Sequence, residues 1–210
     1  MRNNTFIIAR EGWSYLLYSV VAFVIFSILN LDFFTFFAFL AIIFFVYIFR
    51  NPEREVSFLQ SNAVVSPVDG VVMAIEDLED SEYRYKIDID SSYLDVSILR
   101  IPMNSKVTSY KVVKGSRVSK ASKLFSVLNE YAEIHFLAQE DNHLKVEHRL
   151  KQGIAPISIN LLQEQELVQS ARYGYMANGI TSLYVKANFR LNIAVGQEIK
   201  ASKTLIGYFS

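Results

Sequence analysis

The chain has 210 residues, 51% of them hydrophobic, and its 21 basic and 21 acidic side chains leave no net charge. With no cysteine, disulfides, thiolate nucleophiles and cysteine-based zinc or iron–sulfur sites are excluded, which fits a reducing compartment. The basic residues are dispersed along the chain, so nothing argues for a nucleic-acid partner, which would call for a basic stripe.

Residues 1–10 are short and polar and are expected at a membrane surface. Residues 14–49 then form a nearly unbroken run of Leu, Ile, Val, Phe, Ala and Tyr, interrupted only by Asn30-Leu31-Asp32. One straight helix of that length would span roughly 54 Å, well beyond a hydrocarbon core of about 30 Å. Split at 30–32 it becomes two helices, 13–29 and 33–49, each about 25 Å long. The expectation is a transmembrane helical hairpin, with Trp13 as an interfacial anchor. Arg2 and Arg10 precede it and Arg50 and Arg54 follow it, whereas the turn carries only Asp32. Basic flanks place both ends on the cytoplasmic side, at the inner membrane, with Asp32 in water on the far side. A re-entrant loop would leave Asp32 in hydrocarbon at a cost of a few kcal/mol. A cleaved signal peptide would need a shorter apolar region and a small-residue cleavage site. Pro52 stops the second helix.

After residue 54 the pattern changes to short apolar runs punctuated by turn residues, and residues 55–210 suit one compact cytoplasmic domain behind a membrane segment of residues 1–54. Strands are predicted at 63–65 and 71–75 around a tight Ser66-Pro67-Val68-Asp69-Gly70 turn. The acidic stretch 76–82 is a loop or hairpin tip. Further strands are predicted at 83–89, 93–101, 106–113, 132–138, 144–150 (after a turn at 140–142), 154–162, 174–176, 182–187 and 190–195. One short helix is predicted at 121–130, on a modest stripe of Leu124, Val127, Leu128 and Tyr131. Short strands at this spacing define a mainly β fold, an all-β sandwich or barrel-like body. His135, His143 and His148 lack the spacing of a metal site, so no metal is expected. His135 and His148 fall in predicted strands and read as structural.

Several runs, in order along the chain, carry a family resemblance. Phe49-Arg50-Asn51-Pro52-Glu53-Arg54, Ser66-Pro67-Val68-Asp69-Gly70-Val71-Val72, Asp95-Val96-Ser97-Ile98-Leu99-Arg100-Ile101-Pro102, Asn129-Glu130, Gly174-Tyr175-Met176 and Val195-Gly196-Gln197-Glu198-Ile199-Lys200-Ala201 together resemble the short-form phosphatidylserine decarboxylases. The resemblance covers almost the whole chain, hairpin included. It implies phospholipid metabolism and a carboxy-lyase (lyase) reaction that uses a pyruvoyl group made from the chain itself. In that chemistry a serine after a glycine attacks the preceding carbonyl with help from an Asp–His pair, and the resulting ketone takes up the substrate amine.

Position by position, the resemblance puts Asp69 at the family's acid position and Ser97 in place of its histidine. A hydroxyl cannot accept a proton at neutral pH as an imidazole does. The family's self-cleavage serine falls on Ile180 when Gly179 is aligned, and on Gly179 when Leu183-Tyr184 is aligned. Neither register supplies a hydroxyl, and the loop is one residue shorter. Thr181 and Ser182 are the cleavage candidates only if the turn slips. Arg50, Arg54 and Arg100 are candidates for binding a headgroup phosphate. Three readings follow. The first is a non-catalytic relative (a pseudoenzyme without pyruvoyl) that binds membrane phospholipid or a partner, either a second copy in a homo-oligomer or a catalytic homologue. The second is an active phosphatidylserine decarboxylase, making phosphatidylethanolamine, that cleaves itself at Thr181 or Ser182. The third is a membrane-tethered β domain with no lipid role.

Overall fold

The computed structural model describes residues 7–54, 60, 62–79, 82–138 and 142–210. The expected surface segment at 1–10 therefore lies largely outside the described residues, as do parts of the acidic tip and of the turn at 140–142. The chain divides into two compact units, Met1–Glu53 and Arg54–Ser210.

In the first unit a 3-10 turn at Arg10–Gly12 leads into α1 (Trp13–Ile28), and α2 (Asp32–Ile48) returns. The chain reverses at Asn30, whose φ of 53° is in the left-handed region that Asn tolerates. Asp32 opens α2 rather than closing the turn, which sets its carboxylate at the positive end of the helix dipole. Phe26 and Phe34 pack across the hairpin at 5.5 Å, and Phe23 and Phe39 at 6.3 Å. Its open end is tied by backbone: Ala9 N–H donates to Phe49 O and Asn51 N–H to Ile7 O, each at 2.7 Å. Leu17, Ile28 and Phe33 point outward and are exposed. Among the described residues one helix, Arg10–Ile28 with 19 residues, is long and apolar enough to cross a membrane, and Asp32–Ile48 is a shorter apolar helix.

The second unit is mainly β. Along the chain come β1 (Ala63–Val65), β2 (Gly70–Asp77), β3 (Tyr85–Asp90), β4 (Ile98–Arg100) and β5 (Ser105–Val113). After the single turn of α3 (Phe125–Leu128) follow β6 (Tyr131–Leu137), β7 (His143–Leu150), β8 (Ser158–Ile159), β9 (Glu166–Leu167) and β10 (Arg172–Tyr175). The chain closes with β11 (Gly179–Val185), β12 (Phe189–Leu191), β13 (Glu198–Ile199) and β14 (Leu205–Phe209). Eight strands form one sheet in the order β13-β2-β3-β11-β7-β6-β5-β9, and two three-stranded sheets, β1-β14-β12 and β4-β10-β8, complete the body.

Period-two alternation builds the large sheet. Ala132, Ile134 and Phe136 of β6 and Leu144, Val146 and Leu150 of β7 point to one face and are buried. They meet Ile87, Ile89, Leu183 and Val185 in one core cluster, each buried Val, Leu, Ile or Phe contributing about 1.5–3 kcal/mol. His148 stands in the same inward row.

Several expected elements differ; the strand expected at 190–195, for one, is only Phe189–Leu191. The strand expected at 93–101 shrinks to β4, because Asp95 accepts hydrogen bonds from the Ser92 N–H and hydroxyl, both at 2.8 Å, holding a turn that competes with strand pairing. The strand expected at 154–162 shrinks to β8, two residues past Pro156, which offers no N–H to a ladder. The helix expected at 121–130 is only α3: Ser119 and Ser122 hydroxyls accept the Ala121 and Leu124 N–H groups, and Asn129 is extended at ψ 145°. The strand expected at 182–187 begins three residues earlier, at Gly179.

Candidate functional site

The Ser-Pro-Val-Asp-Gly segment is a corner between sheets, since β1 pairs with β14 while β2 pairs with β3 and β13. Ser66 closes it by donating from its hydroxyl to Val68 O at 2.6 Å. Gly70 follows at φ +156°, where a Cβ would stand 2.4 Å from Asp90 O, so only glycine lets β2 approach β3 there. The corner leaves Asp69 6% exposed. Arg54 grips the carboxylate with both terminal nitrogens, Nη2 at 2.6 Å from Oδ2, and the Ala201 N–H donates to Oδ1 at 2.8 Å. Arg54 also donates to Ala201 O at 2.9 Å. Asp69 thus acts as a buried anion joining three distant stretches of chain.

The loop 91–97 ties Ser97 and the turn at 178–180 to this corner. Ser91 donates from its hydroxyl to Asp69 O at 2.5 Å and from its N–H to Gly179 O at 2.9 Å. At the far end of the loop, Ser97 O accepts the Met176 N–H at 2.8 Å, and Arg100 N–H donates to Pro67 O at 2.9 Å. Ser97 itself is buried. Asn178, at φ 63°, makes the turn into Gly179. A Cβ on Gly179 would overlap Met176 Sδ at 2.4 Å and crowd Arg149 O at 2.9 Å. Asp69, Ser97 and the turn at 178–180 are therefore linked through one short loop.

Beyond the turn the chain enters β11 and is paired on both sides. Ile180 stands opposite Asp90 and Arg149, Thr181 opposite Ile89 and His148, and Ser182 opposite Asp88 and Glu147. Ile180 is 9% exposed and Thr181 fully buried. Thr181 Oγ1 lies 2.8 Å from His148 Nδ1, and the other ring nitrogen of His148 is hydrogen-bonded to the Tyr173 hydroxyl. Burial pushes His148 down to about 3 and raises the Tyr173 phenol, so the imidazole is neutral and one of its nitrogens donates while the other accepts. Ser182 faces the other side of the sheet and donates to Asp88 Oδ1 at 2.5 Å, and Lys86 reaches Asp88 Oδ2 at 2.8 Å.

The three arginines make different contacts. Arg54 is committed to Asp69. Arg100 is 2% exposed and donates to Ser170 O at 3.1 Å. Arg50, at the end of the hairpin, stacks 4.0 Å over the Tyr47 ring and donates to Tyr47 O at 3.0 Å. Arg54 and Arg100 are thus both engaged within the β domain. Asp90, which carries no motif in the sequence, gathers two lysines at the end of the sheet that holds Ile180: Lys120 at 2.5 Å and Lys151. Burial would raise its carboxyl, but the two lysines outweigh burial and hold it below the usual carboxylate range. His148 was legible as an inward-facing histidine among Leu144, Val146 and Leu150; Tyr173 and Asp90 carried no such signal.

Fold and corner together define a mainly β protein with an apolar helical hairpin, in which an Asp–Gly corner and an Asn–Gly turn are joined by one loop. The sequence model for phosphatidylserine decarboxylase matches residues 41–207, and the chain belongs to that family. It is similar to the phosphatidylserine decarboxylase proenzyme of Geotalea uraniireducens (strain Rf4), at 27% identity over 221 residues and 99% of both chains. It is likewise similar to the proenzymes of Burkholderia ambifaria (strain MC40-6), 26% identical over 95% of both chains, and Geobacter metallireducens (strain ATCC 53774 / DSM 7210 / GS-15), 27% identical over 99% of both. No solved structure matches the chain.

Proposed function

We propose that this chain is a membrane-anchored relative of phosphatidylserine decarboxylase that stays uncleaved, forms no pyruvoyl group and binds phospholipid without decarboxylating it. One observation carries the reading: the residue leaving the Asn178–Gly179 turn is Ile180, a side chain with no hydroxyl to attack a carbonyl. The residues at this turn do not fit a pyruvoyl group. The nearest hydroxyls, Thr181 and Ser182, lie inside a strand laddered on both sides rather than in a turn, and each is engaged, with His148 and Asp88. The acid position is equally occupied, because Asp69 holds Arg54 and the Ala201 N–H. The apolar hairpin supports a place at the cytoplasmic membrane, with the β domain on the cytoplasmic face.

A second reading has one observation in its favour. Thr181 and His148 form a hydroxyl–imidazole pair at 2.8 Å, the arrangement by which a base activates a nucleophile. Against it stand the complete burial of both residues and the extended, paired backbone around Thr181.

Native mass spectrometry of the full chain released from mild detergent tests the proposal. The expected result is an intact chain of 24.0 kDa carrying phospholipid adducts. A C-terminal fragment beginning at Thr181 or Ser182, with a carbonyl trapped by borohydride, would overturn it in favour of self-processing. An intact chain with no lipid adduct would leave a tethered β domain without a lipid role.

A further inference from the structure

The chain is neutral as a whole, yet its charge is not evenly spread. No acidic residue occurs between Asp95 and Glu130, and Lys106, Lys111, Lys114, Arg117, Lys120 and Lys123 all fall in that stretch. The last part of it, between β5 and β6, is where the β domain exposes a short apolar run: Leu124, Val127 and Leu128 project into solvent, Val127 at 73% exposure. Scattered apolar residues on a surface need no explanation, but three within five residues on a single helical turn form a wedge.

Around the wedge the charges are only partly neutralised. Lys114 and Arg117 share the buried Glu130, and Lys120 and Lys151 share Asp90. Lys111 and Lys123 have no ion pair among the described residues. Lys111 stands opposite Glu133 on β6, which Lys145 and His135 also reach, so these six cations meet three carboxylates. Lys120 also lies 3.8 Å from Sδ of Met73, itself exposed, which extends the apolar patch toward β2. The Arg149 guanidinium donates to Ser126 O at 2.7 Å, fastening the wedge segment to the strand opposite Ile180.

We propose that this segment is a second membrane contact, a docking surface for an anionic bilayer, in which Leu124, Val127 and Leu128 enter the interface and the surrounding lysines meet lipid phosphates. Apolar insertion combined with a basic rim is the chemistry that holds peripheral segments on anionic lipid. A domain tethered to the same bilayer meets it at high effective concentration, so a small wedge suffices. Docking here would bring the end of the sheet that bears Asp90 and Ile180 to the headgroup layer. The inference rests on the proposed membrane placement, but not on the absence of self-cleavage.

The chain's lack of cysteine allows a direct test. Val127→Cys in the full chain, labelled with an environment-sensitive fluorophore, is reconstituted into nanodiscs of phosphatidylcholine alone or with phosphatidylglycerol. Leu162→Cys serves as the control, an equally exposed leucine beside Glu164, whose N–H bonds to Val107 near the start of β5, away from the wedge. Quenching by nitroxide lipid is expected to rise severalfold at position 127 in the anionic discs. It should return to the neutral-disc level in Lys111→Glu/Lys123→Glu, while position 162 stays unchanged. Equal quenching at both positions, or indifference to the charge reversal, would overturn the inference. So would concentration-dependent shielding of position 127 in detergent without lipid, which would mean that a second copy covers the wedge. Chain that fails to enter the discs refutes the membrane placement itself; chain that enters with position 127 unquenched refutes only the docking surface.

Discussion

His148 of β7 and Thr181 of β11 face each other across the ladder, with Nδ1 2.8 Å from Oγ1 and neither side chain exposed. The ring's second nitrogen is taken by Tyr173, so a histidine in an apolar row has both of its polar atoms satisfied. That arrangement explains how an imidazole is accommodated among Leu144, Val146 and Leu150, and it fixes the ring as neutral.

Neutrality has a pH consequence. The folded-state value of about 3 lies below the ordinary 6.5, so the unfolded chain takes up a proton that the folded chain refuses. The stability associated with neutral His148 is complete above pH 6.5 and is lost as pH falls from 6.5 toward 3, at up to about 1.4 kcal/mol per pH unit. Thermal melts of the wild type between pH 7.5 and pH 4.5 should therefore fall more steeply than those of His148→Gln. Parallel curves would show that another group controls the acid limb.

Arg54 and Asp69 form a pair with only 8% of either side chain exposed. Removing one partner leaves the other charge buried and uncompensated, at a cost of about 3–5 kcal/mol. Arg54→Met should lower the thermal midpoint of the β domain by about 10 °C. Arg54→Met/Asp69→Leu should recover much of that loss, because no charge is then stranded. If the single variant melts like the wild type, the pair is solvated and the corner does not depend on it.

Restoring a hydroxyl at the turn should not by itself restore processing. Ile180→Ser provides a hydroxyl at the turn, but on the proposed reading Ser97 supplies no imidazole to act as its base. Intact mass should remain that of an unbroken chain for Ile180→Ser. Ser97→His/Ile180→Ser is the smallest set that supplies both groups, and a fragment beginning at residue 180 is expected only with that pair. Cleavage of the single variant would mean that a residue already at the corner, His148 included, acts as base.

Much of the fold was legible because alternation is a local signal. Residues 131–137 and 143–150 alternate cleanly, and β6 and β7 follow that pattern. β4 and β8 were overestimated, since the Ser92–Asp95 turn and Pro156 interrupt runs whose composition alone reads as strand. At the corner the sequence singles out Asp69, Ser97 and the Gly179 turn; in the fold Ser91 donates to both Asp69 O and Gly179 O, while Ser97 O accepts the Met176 N–H. What stayed hidden was the set of partners. The ligand of Asp69 on one side is Arg54, which the sequence offers equally to a lipid phosphate, and on the other it is a backbone N–H 132 residues further along. Long-range pairing of this kind leaves no periodic trace.

The apolar hairpin leads to a prediction about topology. Asp32 opens α2 at the tip between the two helices, while Arg10 and Arg50 stand at its open end, where Ala9 and Phe49 are hydrogen-bonded. If both ends remain in the cytoplasm, the tip emerges on the opposite side, because a carboxylate left in hydrocarbon would cost a few kcal/mol. The cysteine-free background makes this measurable in intact cells. Asp32→Cys should react with a membrane-impermeant maleimide added from outside, whereas Lys203→Cys in the β domain should react only after the cytoplasmic membrane is permeabilised. Protection of both positions in intact cells would replace the spanning hairpin with a shallow one, and the reverse labelling pattern would invert the orientation.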